Sequence, residues 1–460
     1  MSQVVPAELL ARYDSVGPRY TSYPTAVDFH AGYGEAEYRK ALAAANQLGG
    51  APLSVYTHVP FCRKRCWFCG CHTFATTQHD VVAPYLAHLN VEMARVAALL
   101  PDRRRVAQYH LGGGTPTYLA PHELVELVTS FQRHFEFLSD AERAIEVDPR
   151  ATTAAHIEAL ASVGCNRISM GVQDFDPAVQ EAVGRPQPLE ATAGLVATAR
   201  QNGFAGVNLD LIYGLPRQTV DSFARTVAQT IALRPDRVAV YSFAYLPHQR
   251  SHQKLIVLSD MPSRDEKFAL LALARQGFMD AGYQAIGMDH FALPGDELAV
   301  AQRRGRLQRN FMGYTVRAGA DMIGFGVSAI GDVRGALAQN EKKLVHYYRM
   351  LDEGRLPIAR GYQRTADDEI RRDVIHDLMC NFVVDRKAIE TRHGIVFGEY
   401  LRESLDKLAP FVADGMCQID DAAVRAMGLG QVFVRNLAMC FDAHLDGKLA
   451  AKDPLFSRTV

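Results

Sequence analysis

The chain has 460 residues, 48% of them hydrophobic, with 50 Lys and Arg against 51 Asp and Glu and a formal net charge of −1. That length suits roughly two to three domains, or one α/β barrel of about 250 residues with additions. The charge balance excludes the basic excess of a nucleic-acid-binding protein, so an anionic ligand has to be met by local arginines. Residues 1–14 carry Glu8, Arg12 and Asp14 with no long apolar run behind a basic start, which is not the pattern of a secretory leader. The longest apolar runs, such as 268–274, fall far short of the ~20 residues a membrane span needs. The expectation is a soluble, cytoplasmic protein with no membrane or nucleic-acid partner.

Residues 1–35 read as an arm, in which Arg19-Tyr20-Thr21-Ser22-Tyr23-Pro24 is polar and aromatic without periodicity. Short apolar runs bounded by turn residues follow at 53–59, 106–111, 144–147, 167–172, 207–212, 237–243 and 285–288. Helical patterns lie between or after them, at 81–100, 151–163, 189–201, 219–233 and 264–281. This alternation predicts a parallel sheet with crossover helices, and so many units suit a barrel or partial barrel. Gly112-Gly113-Gly114, Gln173-Asp174 and Tyr213-Gly214-Leu215-Pro216 each follow a strand end. That is the rim where such a barrel does its chemistry, although each is also an ordinary turn sequence. Helical patterns at 341–351, 367–381 and 397–408 predict a separate helical region. The expected division is an arm at 1–35, an α/β barrel at 36–340 and a helical C-terminal domain at 341–460.

Of eight cysteines, Cys62, Cys66, Cys69 and Cys71 crowd one stretch, whereas Cys165, Cys380, Cys417 and Cys440 are scattered and read as buried inert thiols. Cys62, Cys66 and Cys69 form C-x3-C-x2-C. Three thiolates bind three irons of a cubane and leave the fourth to a small chelating ligand such as S-adenosylmethionine, which a low-potential cluster can reduce. A tetrahedral zinc site completed by Cys71 or His72 is the competing reading, and a thiol redox switch a third. All the candidates sit in one loop, which favours the cluster. Phe68 is placed to shield the cluster or an adenine, or simply to pack.

The triple glycine lets backbone approach a ligand closely, with its N–H and C=O groups expected free for the ends of a methionine moiety. Glu146 and Asp210, at strand ends, suit ribose hydroxyls or an amino group; the plain alternative is a rim carboxylate paired to Lys or Arg. Arg185 suits a ligand carboxylate, or is a surface charge. Gly324-Phe325-Gly326-Val327-Ser328-Ala329 fits a dinucleotide fingerprint, but it follows the strand series and lacks the acidic partner. It reads instead as a turn lining an adenosyl pocket.

The run Tyr56-Thr57-His58-Val59-Pro60-Phe61-Cys62, continuing to Cys66, Phe68 and Cys69, resembles the radical S-adenosylmethionine superfamily. Gly70-Cys71 is more particular, and further matching stretches run from 19–25 through 110–117, 145–149, 167–175, 208–216, 287–291, 309–315, 326–330 and 373–382 to 440–442. With them the chain resembles the oxygen-independent coproporphyrinogen III dehydrogenase (oxidase) family of bacterial haem synthesis. The resemblance implies a partial (β/α)6-type barrel with an N-terminal arm and a helical C-terminal domain. It implies a 4Fe–4S cluster on Cys62, Cys66 and Cys69, with Cys71 not a ligand, and two S-adenosylmethionine molecules. Tyr56, Phe68, Gly113 and Glu146 correspond to contacts with the first molecule. Gly114, Thr115, Gln173, Arg185 and Asp210 correspond to contacts with the second, and Ala244 and Ile330 line the adenosyl sites further. Tyr56, Glu146, Arg185 and Asp210 are the candidate catalytic side chains. Met312 departs from the family pattern, which has Gln there.

The implied reaction turns two propionates of coproporphyrinogen III into vinyl groups through a 5′-deoxyadenosyl radical, giving protoporphyrinogen IX. It needs an electron donor and an electron acceptor, and a monomer is expected. Candidate partners for the propionates are Arg19, Arg63, Lys64, Arg65, Arg303, Arg304, Arg306 and Arg309; His58 and His290 are candidate proton relays. The alternative is a haem-binding protein of the same superfamily, whose members usually lack the Gly70-Cys71 step and the arm.

Overall fold

The computed structural model describes residues 7–317, 319–449 and 455–459. The first six residues of the expected arm, and residues 450–454 and 460 of the expected C-terminal domain, lie outside them. Six strands form the centre: β1 (Leu53–Val59), β2 (Arg105–Gly113), β3 (Glu136–Val147), β4 (Arg167–Gln173), β5 (Gly206–Tyr213) and β6 (Arg237–Ser242). Each pairs in parallel with the next. Helices Val82–Ala98, Pro121–Gln132, Ala154–Ser162, Leu189–Gln201 and Val220–Leu233 make the crossovers, and Arg264–Asp280 follows β6.

Strand alternation sorts the side chains. In β4 the buried residues are Ile168, Met170 and Val172; in β5 they include Val207, Leu209, Leu211 and Tyr213. They join Leu89, Leu127, Ile157 and Val196 of the covering helices in the main core. The intervening residues, Ser169, Gly171 and Gln173 on β4 and Asn208 and Asp210 on β5, take the opposite, inner face. A period of two thus delivers polar residues into the barrel from strands whose other face is wholly apolar.

Six more strands complete one twelve-stranded sheet: β7 (Gln284–Ile286), β8 (His290–Ala292), β9 (Met322–Phe325), β10 (Ile330–Val333), β11 (Ala336–Asn340) and β12 (Ile358–Gln363). The order is β12-β11-β10-β9-β1-β2-β3-β4-β5-β6-β8-β7, with β9 parallel to β1. The two ends are not paired with each other, so the barrel is partial.

Several elements differ from expectation. The strand expected at 285–288 is an antiparallel hairpin, β7–β8, because Gly287 turns the chain at φ +53°. The strand expected at 144–147 is the end of the longer β3. The sheet runs past residue 340, since β12 pairs with β11. The C-terminal region does contain Leu344–Asp352 and Ala366–Asn381, but the helix expected at 397–408 is broken into Phe397–Tyr400 and Arg402–Lys407. It also holds an unexpected three-stranded sheet of Val383–Asp385, Cys417–Ile419 and Ala423–Ala426. Leu10, Tyr13, Tyr20 and Tyr23 of the arm share a second core with Leu378, Phe433 and Leu437 of that region. Among the described residues no helix is long and apolar enough to cross a membrane.

Candidate functional site

The cysteine loop leaves the end of β1. Its base is closed by a two-residue parallel pairing of Phe61–Cys62 with Phe74–Ala75. Trp67 N–H donates to the Val183 carbonyl at 3.0 Å, and the Trp67 ring packs on Gly184, where a Cβ would come within 3.0 Å. From the other side His252 Nε2 donates to the Cys69 carbonyl at 2.8 Å and Gln253 Nε2 to the Phe68 carbonyl at 3.2 Å. The loop is therefore held by backbone contacts, which leaves its thiols to the cavity.

That cavity, about 420 Å³, is lined by Cys62, Cys66 and Cys69 together with Phe68, Gly113, Gly114, Thr115, Glu146, Gln173, Arg185, Asp210 and Ala244. Tyr56 and Ile330 do not line it. Tyr56 sits one layer deeper, its ring stacked 6.0 Å from His110 and its hydroxyl donating to His58 Nδ1 at 3.0 Å. His58 Nε2 donates in turn to the His72 carbonyl at 2.9 Å, and burial pushes the His58 pKa down to about 4, so it is neutral. Ile330 opens β10, with its backbone against Gly324. Residues 324–329 also stay outside the cavity; a Cβ on Gly324 would meet the Ile330 backbone at 2.5 Å, so close packing explains that glycine.

The triple glycine does not offer free amides. Gly113 N–H donates to Glu146 Oε2 at 3.1 Å, Gly114 N–H to the Val59 carbonyl at 2.8 Å and Thr115 N–H to the Phe61 carbonyl at 2.9 Å. The glycines instead permit close layering: a Cβ on Gly112 would lie 2.8 Å from Glu146, and one on Gly114 2.7 Å from the Pro60 backbone.

Arg185 Nη1 reaches Asp148 Oδ2 at 2.9 Å and Cys66 Sγ at 3.3 Å, and its Nη2 donates to the Gly171 carbonyl at 2.6 Å. Its Nε is buried without a partner. Arg150 Nη2 also donates to Cys66 Sγ at 3.3 Å and to Asp148 at 2.6 Å. Burial opposes a charge on Asp148, but Arg185 and Arg150 outweigh it and hold the carboxyl below its usual range. Sequence reasoning did not single out Asp148 or Arg150; the signal was their place just beyond Glu146 at the end of β3. Burial pushes the Cys62 thiol up to about 11, against a 3.4 Å contact with Thr115 Oγ1. Cys69 is drawn down to about 6, first by a hydrogen bond from the Cys71 thiol.

Two inner carboxylates diverge. Burial works against a charge on Glu146, but His110 Nε2 at 3.1 Å and the Gly113 amide more than offset it and keep Glu146 ionised. Asp210 is pushed up to about 6 by burial and then by Glu146, despite bonds from Asn208 at 2.8 Å and Ser169 at 3.1 Å. Both also line a lower chamber of about 120 Å³, with Tyr241, His290 and Met312. His290 Nδ1 lies 2.7 Å from Asp289.

The candidate propionate partners separate by place. Arg63, Lys64, Arg65, Arg303, Arg304 and Arg306 are exposed. Arg19 pairs with Asp289 and lies over the Tyr241 ring, and Arg309 donates to the Tyr20 carbonyl at 3.1 Å.

The residues present fit a cluster better than one ion. Among the described residues no three His, Cys, Asp or Glu side chains converge to hold a single metal ion, as a zinc site requires. The free thiols of Cys62, Cys66, Cys69 and Cys71 instead line one cavity, with two guanidinium groups donating to Cys66. A cubane takes each thiolate to a different iron.

The family model of the Radical SAM superfamily matches residues 56–229, from within β1 into the helix Val220–Leu233. Oxygen-independent coproporphyrinogen III oxidase of Salmonella typhimurium is 44% identical over 452 residues, covering 98% of each chain. The enzyme of that name from Pseudomonas aeruginosa is 45% identical over 95% of this chain and 96% of its own. The solved structure of coproporphyrinogen III oxidase from Escherichia coli, described as a radical SAM enzyme, is 43% identical. It superposes with a TM-score of 0.91 over 97% of this chain and 100% of that one.

Proposed function

The chain belongs to the family of oxygen-independent coproporphyrinogen III oxidases, and we propose that it converts two propionate side chains of coproporphyrinogen III to vinyl groups, giving protoporphyrinogen IX. Each propionate gives up a hydrogen atom from its β-carbon, one electron and carbon dioxide, and no oxygen is consumed. A 4Fe–4S cluster and S-adenosylmethionine, the cofactors of the superfamily, supply the low-potential electron and the hydrogen-atom abstraction when bound.

The observation that carries this reading is one cavity holding Cys62, Cys66 and Cys69 beside Glu146, Arg185 and Asp210. The three cysteines would hold three irons, with Arg150 and Arg185 offsetting thiolate charge at Cys66. Ionised Glu146 would accept hydrogen bonds from an amino group or ribose. Arg185 has Nε to spare for a carboxylate, and Asp210, which titrates near 6, would accept from a second ribose. Tyr56 acts from below, through the His58 contact and the layer under Glu146. Gly113, Phe68, Gly114, Thr115, Gln173 and Ala244 complete the proposed walls of two S-adenosylmethionine sites, whereas Ile330 stands behind them. Met312, at the hairpin tip, gives the lower chamber an apolar contact. The walls exclude water around the reacting carbon and fix its position.

An external electron donor and an acceptor complete the balance. We place the monomeric enzyme in the cytoplasm, where a reducing milieu suits its eight free thiols. Anaerobic incubation of cluster-loaded protein with coproporphyrinogen III, S-adenosylmethionine and a reductant is expected to release vinyl product, and Cys62→Ser to abolish it. A product yield equal in the two proteins would overturn the assignment.

A further inference from the structure

A second sizeable cavity, about 400 Å³, shares no lining residue with the cysteine cavity or the lower chamber. A two-stranded hairpin, Gln308–Asn310 with Gly313–Thr315, stands between. The lower chamber touches Met312, Gly313 and Tyr314 of this hairpin; the outer cavity touches residues 308–311 and Thr315.

The outer cavity is lined by Arg309, Arg317, Arg334, Arg364 and Arg372. Three of these are committed. Arg364 forks onto Asp332 at 2.8 Å for both bonds and also meets Glu369. Arg317 lies 3.1 Å from Asp140, and Arg372 3.2 Å from Asp373. Asp321, also in the wall, answers the buried Arg103. Two cations are left over. Arg334 is exposed and pairs with no carboxylate among the described residues. Arg309 spends its Nη1 on the neutral carbonyls of Arg19 and Tyr20, and its Nε is buried with no partner. The rest of the wall is largely polar, with Thr21, Ser22, Gln308, Asn310, Thr315 and His376, and Phe311 is its half-buried aromatic.

We propose that this cavity is a docking site for the carboxylate rim of the tetrapyrrole, outside the reaction chamber and across the hairpin from it. The inference rests on the substrate reading above. A tetrapyrrole of this class carries carboxylates at its edge, which matches a polar wall with guanidinium groups to spare. Guanidinium is the side chain whose fork fits a carboxylate with two parallel bonds. The volume falls within the ~300–1,000 Å³ range of ligand pockets, enough to take one edge of the ring system.

The test uses cluster-loaded, full-length enzyme and Arg334→Glu, at an exposed position whose side chain makes no ion pair among the described residues. The probe is coproporphyrin III, the stable oxidised form, titrated by fluorescence; KM and kcat for coproporphyrinogen III are measured in parallel. Turning one charged contact into a repulsion is expected to weaken porphyrin binding about tenfold and to raise KM similarly. Iron content and kcat stay unchanged, and Arg402→Glu, on the exposed C-terminal surface, binds as wild type. Wild-type affinity in Arg334→Glu, an equal loss in Arg402→Glu, or no porphyrin binding by wild type overturns the docking site. If wild type forms vinyl product while Arg334→Glu keeps its KM, the inference falls and the activity stands. If Arg334→Glu loses porphyrin binding but wild type forms no product, the activity falls and the site stands.

Discussion

Asp210 and Glu146 share one chamber, yet their surroundings set them apart. Glu146 has a histidine and a backbone amide on its oxygens; Asp210 has an amide and a hydroxyl and sees Glu146 as a like charge. Burial and that repulsion push Asp210 to about 6, whereas an unfolded aspartate titrates near ~4. A carboxyl raised on folding contributes its stability in full below its unfolded pKa and loses it as pH rises through the folded one. Ionised Asp210 thus weighs against the fold above about pH 6. Asp210→Asn, which keeps the shape and removes the charge, is expected to raise Tm relative to wild type at about pH 7.5 to 8, with the gain vanishing at about pH 4. Thermal melts of cluster-loaded protein without S-adenosylmethionine, taken across that range, check it. A gain of equal size at both ends would show that Asp210 is not titrating between them. The same variant should bind S-adenosylmethionine less tightly, since an acceptor becomes partly a donor.

At the scale of elements, alternation carried most of the information. The run of strand and helix in turn puts Gln173 and Asp210 at a rim because each stands at an expected strand end, and the structure gathers Asp210 into one hydrogen-bonded set with Ser169 and Asn208, which the sequence alone does not single out. Contacts between distant elements were not legible. Glu92 lies in a helix whose pattern was clear, but one acid within a helical run reads as a solvated side chain. It is 2% exposed instead, accepting from Gly326 N–H at 2.8 Å and Asn340 Nδ2 at 2.6 Å and bonded to the Tyr347 hydroxyl. It thereby pins the helix Val82–Ala98 to the turn after β9 and to the end of β11. Burial pushes Glu92 up to about 7, so near neutrality it is often protonated and resembles a glutamine. Glu92→Gln is expected to cost about 1 kcal/mol of stability. Glu92→Ala strands three donors, at ~1–3 kcal/mol for each buried unsatisfied group, and is expected to cost about 3 kcal/mol or more. Denaturant melts of the two variants check the order; equal losses would mean that side-chain volume, not the hydrogen bonds, holds the turn.

At the scale of the molecule, the division expected from sequence separated an arm from a C-terminal domain, because nothing in an aperiodic polar stretch names its packing partner. The structure joins them. Buried Arg435 donates to the carbonyls of Gly17 and Pro18 at one end of the chain and to those of Arg458 and Thr459 at the other. Tyr13 packs against Phe411 with the rings tilted and their centroids 4.6 Å apart, and Asn436 Nδ2 donates to the Tyr13 carbonyl at 2.8 Å. The barrel core is built separately, from residues that include none of the arm up to Tyr23. Removing residues 1–23 therefore subtracts Leu10, Tyr13, Tyr20 and Tyr23 from the second core alone. Truncating a buried Leu or large aromatic costs ~2–5 kcal/mol, so four such losses match the ~5–15 kcal/mol that holds a domain folded. The deletion also leaves Arg435 without two of its acceptors, a penalty a buried charge does not escape. Hydrogen exchange on the truncated protein is expected to show lost protection across residues 383–445, with β1 to β6 still protected and iron still taken up at the cysteine loop. Protection retained at 383–445 would mean that the C-terminal core stands without the arm, and uniform loss over the whole chain would mean that the two cores fold as one.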